Sequence, residues 1–117
     1  MTYKEVATMI AGIGLPYAYD HFEEDNASPP PFICFFFSGS NDLAADNTNY
    51  QKIRPLTIEL YTDNKDVQTE ETVEAALNNA ELYYTRSEVY IDSERMYEVI
   101  FQTDIVITDE SEEDVNA

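Results

Sequence analysis

Gln51-Lys52-Ile53-Arg54-Pro55-Leu56-Thr57-Ile58-Glu59-Leu60-Tyr61 alternates from Leu56 onward, which places Leu56, Ile58 and Leu60 on one face of a half-buried strand. Thr62-Asp63-Asn64-Lys65-Asp66 follows, a cluster of turn formers whose short side chains bond to nearby backbone. The period then changes. Val73, Ala76, Leu77 and Ala80 stand at i, i+3, i+4 and i+7, one apolar stripe of a helix. Glu70, Glu71 and Glu74 lie near its start, where the helix dipole favours negative charge. Asp66 is the preferred N-cap, with Thr69 as the alternative. A strand, a tight turn and a helix returning onto the sheet make one packing unit, and nothing in it has the pattern of a catalytic site.

Composition narrows the classes. A chain of 117 residues is expected to form one domain with a real core, much of it supplied by nine Tyr and six Phe. Cys34 is the sole cysteine, so no intrachain disulfide is expected, which suits a reducing compartment. The start, Met1-Thr2-Tyr3-Lys4-Glu5, lacks the basic and then apolar pattern of a signal peptide. The longest apolar run, Phe32 to Phe37, is far short of a membrane span, and a soluble protein made in the cytosol is expected. Twenty-four acidic residues against six Lys and Arg give a formal charge of -18. Six scattered cations cannot build a phosphate-binding footprint, and the same argument opposes an anionic membrane. The acidity either solubilises the surface or mimics or repels nucleic acid.

Outward from the central unit, Thr2 and Glu5 fit a capping box and Val6, Met9, Ile10 and Ile13 repeat the helical stripe. Gly12, Gly14 and Pro16 then bound a helix at about 3–11. A first strand is expected at Tyr17 to Phe22, then an acidic and proline-rich connection through Pro31. Phe32 to Phe37 reads as a strand buried on both faces, and Ser38 to Asn49 as a long polar loop. Tyr83 to Asp92 and Met96 to Ile107 make two further strands about a turn at Asp92-Ser93-Glu94-Arg95. The expectation is one α+β domain over residues 1–108, order α-β-β-β-α-β-β: two helices on one face of a mostly antiparallel sheet of four to five strands. Residues 109–117, with five acids and no aromatic, are expected to form a disordered acidic tail.

Two helices on one face leave the other face to be accounted for. Phe32, Cys34 and Phe36 point one way and Ile33, Phe35 and Phe37 the other, and both sets are large. Ile100 and Tyr61 are expected to join an uncovered apolar patch. With a free strand edge, such a patch marks a subunit contact.

Candidate chemistry is sparse. His21 is the single histidine, with Asp20 on the opposite strand face, and reads as an exposed edge residue. Cys34 sits in an apolar strand with no activating base and reads as a small core residue. Asp63, Asn64, Asp66 and Glu70 have neither the alternate spacing nor the glycine of a calcium loop. Among so many acids a carboxylate pair for hydrolysis can always be found, so no pair is informative. Neither an enzyme nor a cofactor is expected.

Several segments carry a resemblance. Gly14-Leu15-Pro16-Tyr17-Ala18-Tyr19, Pro30-Pro31-Phe32-Ile33, Ile58 to Asp66, Glu70-Glu71-Thr72-Val73-Glu74 and Tyr90-Ile91-Asp92-Ser93-Glu94 together resemble a family of small phage and prophage proteins of Gram-positive bacteria. These are similar to tail-terminator, or head-to-tail joining, components of phages with long non-contractile tails. The resemblance spans about Tyr3 to Ile107, and its motifs are structural. It implies a virion protein without an active site, assembled in the bacterial cytoplasm into a ring, usually a hexamer. Such a ring caps the tail tube and meets the tail tube protein on one side and the head-tail connector on the other. On this reading Phe35, Phe37 and Ile100 are subunit-contact candidates. Asp42 to Asn49, with Asp42, Leu43, Asp46, Asn47 and Asn49, is the candidate loop for the neighbouring ring. The alternative is an acidic DNA mimic that occupies the basic groove of a host DNA-binding enzyme. Copurification with tail tubes favours the ring, and capture of a host nuclease or polymerase favours the mimic.

Overall fold

A computed structural model describes residues 1–23, 27–45 and 48–108. Helix α1 (Tyr3–Ala11) is followed by strands β1 (Tyr17–Tyr19), β2 (Phe32–Phe37), β3 (Leu43–Ala45) and β4 (Thr48–Thr62). Then come α2 (Val67–Asn79), β5 (Tyr84–Ile91) and β6 (Met96–Ile107).

Both helices start as their sequences require. The Thr2 hydroxyl accepts from the Glu5 N–H at 3.0 Å, and the Thr2 N–H donates to Glu5 Oε1 at 2.8 Å, closing the capping box. Gly14 adopts φ 90° beyond the end of α1, a conformation only glycine takes freely. Asp66 caps α2, accepting from the Thr69 N–H at 3.1 Å and from its hydroxyl at 2.6 Å. These two bonds hold its carboxyl below the usual carboxylate range.

The sheet runs β1-β2-β4-β6-β5, with β3 paired to β4 off this path. It is α+β as expected, but it has six strands and is mixed, because β1 runs parallel to β2. Three differences have physical causes. First, β1 stops at Tyr19 instead of reaching Phe22, because Asp20 takes φ 67° and turns the chain away. Asp tolerates that conformation better than most residues. Second, the segment expected as a free polar loop is strapped to β4. Ser38 N–H donates to the Pro55 carbonyl (3.0 Å), Asn41 N–H to the Ile53 carbonyl (2.8 Å), and β3 pairs beyond them. Third, β4 begins at Thr48, well before the alternation that announces it, because its first residues pair with β3.

Pro55 is tolerated inside this long strand for a local reason. Its carbonyl points to the β2 side, so its missing N–H falls there too, just past the last β2 pair, Phe37 with Leu56.

One core lies between the sheet and both helices. Val6 and Ile10 of α1 and Val73 and Leu77 of α2 meet Ile33, Phe35, Leu56, Ile58, Leu60, Val99, Phe101, Ile105 and Ile107. Thr62 extends the same row of β4 and is buried, and its hydroxyl has no hydrogen-bond partner among the described residues. A buried hydroxyl left unpaired is costly, and valine has nearly the same shape. Thr62→Val is therefore expected to raise stability by about 1 kcal/mol, read as a higher urea midpoint with an unchanged slope. An unchanged or lower midpoint would count against that account.

Candidate interaction surface

The alternation that buries one side of the sheet exposes the other. Two neighbouring rows run across it: Cys34, Glu59, Ile100 and Ser87, then Phe32, Tyr61, Glu98 and Val89. Phe32 stacks on Tyr61 with ring centroids 4.9 Å apart, and Phe22 meets the edge of Phe32 at 5.4 Å. Ile100, Phe32, Phe36 and Tyr61 are half-buried, and neither α1 nor α2 covers them.

The candidate contact residues separate at this point. Phe35 is buried, and Phe37 is partly buried against the same core, both on the helix side. The pairing of β2 with β4 sets this, since Ile33, Phe35 and Phe37 stand opposite Leu60, Ile58 and Leu56. Tyr19 and Tyr3 complete the packing: Tyr19 lies edge-on to Phe35 at 5.3 Å, and Tyr3 edge-on to Phe37 at 5.2 Å. Ile100 alone of the three lies on the open face, so they do not form one patch.

The candidate loop is placed in part. Asp42 accepts from the Ile53 N–H at 2.9 Å and pairs with the Arg54 guanidinium, fixing the strap to β4. Leu43, in β3, is exposed, and Asn49 pairs with Ala44 in the β3–β4 ladder. Asp46 and Asn47 lie outside the described residues, as does the segment 109–117 expected to be a disordered tail.

Titratable groups on the open face sit close together. Tyr61 donates its hydroxyl to Glu98 Oε2 at 2.9 Å. Glu59 is pushed up to about 7, chiefly by burial and then by the neighbouring Glu98 carboxyl. Burial also raises the Cys34 thiol to about 11, with the Glu59 charge adding to it, so the sulfur is a poor nucleophile at neutral pH. His21 bonds Asp20 at 3.1 Å, a contact opened by the turn at Asp20, where continued alternation would have set the two apart. That bond, with Glu23 nearby, raises the exposed imidazole.

A buried charge cluster on the opposite side of the sheet is absent from the sequence-based expectations. Glu70 of α2 is 1% exposed and accepts from Lys65 Nζ at 2.8 and 2.7 Å and from Arg86 of β5 at 2.9 Å. The Arg86 guanidinium also lies 5.8 Å from the Phe101 ring centre. Glu70 holds both cations above their ordinary values. Alternation through Tyr84, Arg86 and Glu88 was the available signal, because it turns Arg86 inward beside Tyr84. This cluster clamps α2 to the sheet.

A depression of about 550 Å³ opens between the β4–β6–β5 region and the α2–β5 turn, lined by Thr57, Thr85, Gln102, Asp104, Glu81 and Tyr83 among others. No three His, Cys, Asp or Glu among the described residues are grouped to hold a metal ion. None of the described helices is long and apolar enough to cross a membrane.

No family model matches the chain, and neither does any curated protein. Among solved structures its fold is similar to that of a chain described as "Virion of native gene transfer agent (GTA) particle". The two are 14% identical over 86% of this chain and 85% of that one, with a TM-score of 0.55. The likeness is one of fold, and it takes in nearly the whole of both chains.

Proposed function

We propose that this chain is a structural phage virion protein: a subunit of the tail-terminator or head-to-tail joining ring at the end of the tail tube. The observation that carries the reading is the near full-length likeness in fold to a chain of a phage-like virion particle. The open face supports it, since half-buried aromatic and aliphatic side chains on three of its strands lie beyond the reach of either helix. The work of such a protein is assembly. Ile100 of β6, with Phe32 and Phe36 on the same face across β4, meets a second copy, and the strap and β3–β4 ladder from Asp42 meet the tail tube protein or the connector.

Charge sets the conditions. Six subunits at -18 each make -108 in a hexameric ring, and that repulsion opposes closure. The same acidity keeps passing DNA from sticking, because phosphate is repelled. Salt screens exposed charges over roughly 8 Å at physiological strength. The isolated chain is therefore expected to be monomeric at low salt and to oligomerise as salt, concentration or the partner ring is added. Light scattering across a salt series tests this; oligomers that weaken as salt rises would argue against it. Capture of a host nuclease in place of tail tubes would favour the DNA mimic.

A further inference from the structure

We propose that the depression between the β4–β6–β5 region and the α2–β5 turn is a socket for an arginine or lysine side chain presented by another, basic polypeptide. Its charged lining is acidic: Glu81 comes from the turn after α2 and Asp104 from β6, and no Lys or Arg lines it. Neither carboxylate is in an ion pair among the described residues. The sheet segregates its charges in the same sense. Lys52, Arg54 and Arg86 stand opposite Ile107, Ile105 and Phe101 on the helix side, whereas Glu59, Glu98 and Asp104 alternate onto the open face. A cation approaching that face is attracted, and an anion is repelled.

The walls of the socket are held in place. Glu81 takes φ 59°, and the turn around it is fixed by its N–H donating to the Asn78 carbonyl (2.9 Å) and the Leu82 N–H to the Leu77 carbonyl (3.0 Å). The Thr103 hydroxyl donates to the Tyr83 carbonyl at 2.6 Å, tying the turn to β6. Thr57 is only 5% exposed and lines the depression. Its hydroxyl makes no hydrogen bond to a described residue, which leaves that oxygen available to a ligand. Gln102 and Thr85 add uncharged acceptors beside it. Tyr83, 85% exposed, stands at the rim, where its ring can lie against a cation. Arginine suits this lining best, because its planar fork of donors can bond carboxylate and hydroxyl oxygens together while stacking on a ring. A second copy would bring a net -18 to the contact, and its Arg54, Lys65 and Arg86 are already paired, so a different protein with a basic surface is the better source. Ile100, Phe32 and Phe36 do not line the depression, so the socket and the proposed ring contact fail separately.

The test uses the full chain and N-acetyl-arginine amide as the probe, with N-acetyl-citrulline amide as its uncharged counterpart, followed by amide NMR. In the parent, the arginine probe is expected to shift the amides of residues 81–85 and 102–104, and the citrulline probe to leave them in place. Asp104→Asn and Glu81→Gln are each expected to weaken binding roughly tenfold, the loss of one charge-assisted contact. Both residues are exposed, so both variants are expected to fold, which circular dichroism checks. Thr57→Val, of nearly the same shape, is expected to weaken binding several-fold. Glu71→Gln, an exposed acid of α2 outside the lining, is expected to leave it unchanged. Shifts spread evenly over the acidic surface, or one affinity for every variant, would overturn the socket. Magnesium giving the same local shifts at lower concentration would assign it to a free cation, and self-association lost in Asp104→Asn would assign it to a second copy; either result overturns the partner named here.

Discussion

Glu70→Ala is expected to lose about 3 kcal/mol of stability, a large fraction of the 5–15 kcal/mol typical of a small domain. Removing one partner of a buried ion pair leaves the other charge without compensation, and roughly 3–5 kcal/mol is the usual cost. Here Lys65 keeps Glu88 and Arg86 keeps Glu74 and Glu88, and the two side chains are 39% and 35% exposed and can regain water. The lower end of the range follows. Glu70→Gln keeps the volume and one acceptor and is expected to lose about half as much. Urea denaturation measures both, and a loss below about 1 kcal/mol for alanine would mean that the clamp does little.

Ile100→Asp and Phe35→Ala are expected to fail in opposite ways. Ile100 stands half-buried opposite Glu59 in the β4–β6 pairing, so an aspartate there adds a carboxylate next to Glu59 on the proposed contact face. Its fold is expected to survive, with the assembled species lost at every salt concentration. Phe35 lies in the core against Tyr17 and Tyr19, and its truncation is expected to cost about 3–5 kcal/mol. That variant unfolds before any question of assembly arises. Circular dichroism with light scattering separates the outcomes; an Ile100→Asp chain that still assembles would remove the open face from the contact.

That contrast also marks how far the sequence could be read. A strand alternating between apolar and polar residues carries its own phase, and that phase puts Leu56, Ile58 and Leu60 on the face that the structure buries. Phe32 to Phe37 is apolar at every position, so nothing within it says which set meets the helices; only its register against β4 decides. The bounds of α1 and of β6 were legible because caps, glycines and a long alternation punctuate them. The strap along β4 was not, because Ser38, Asn41 and Asp42 read as loop composition although backbone and carboxylate bonds tie them down. Glu70 had the spacing of a dipole-favoured surface acid. Its burial depends on Arg86, which is distant in sequence and delivered by β5.

The proposed ring is a claim about assembly, so the most direct measurement is electron microscopy of phage tails made with and without this chain. Without the protein, tails of uncontrolled length, or tails of normal length that never join heads, are expected, and supplying the chain in trans should restore both. Complete virions with tails of uniform length in its absence would contradict the role at the tail end.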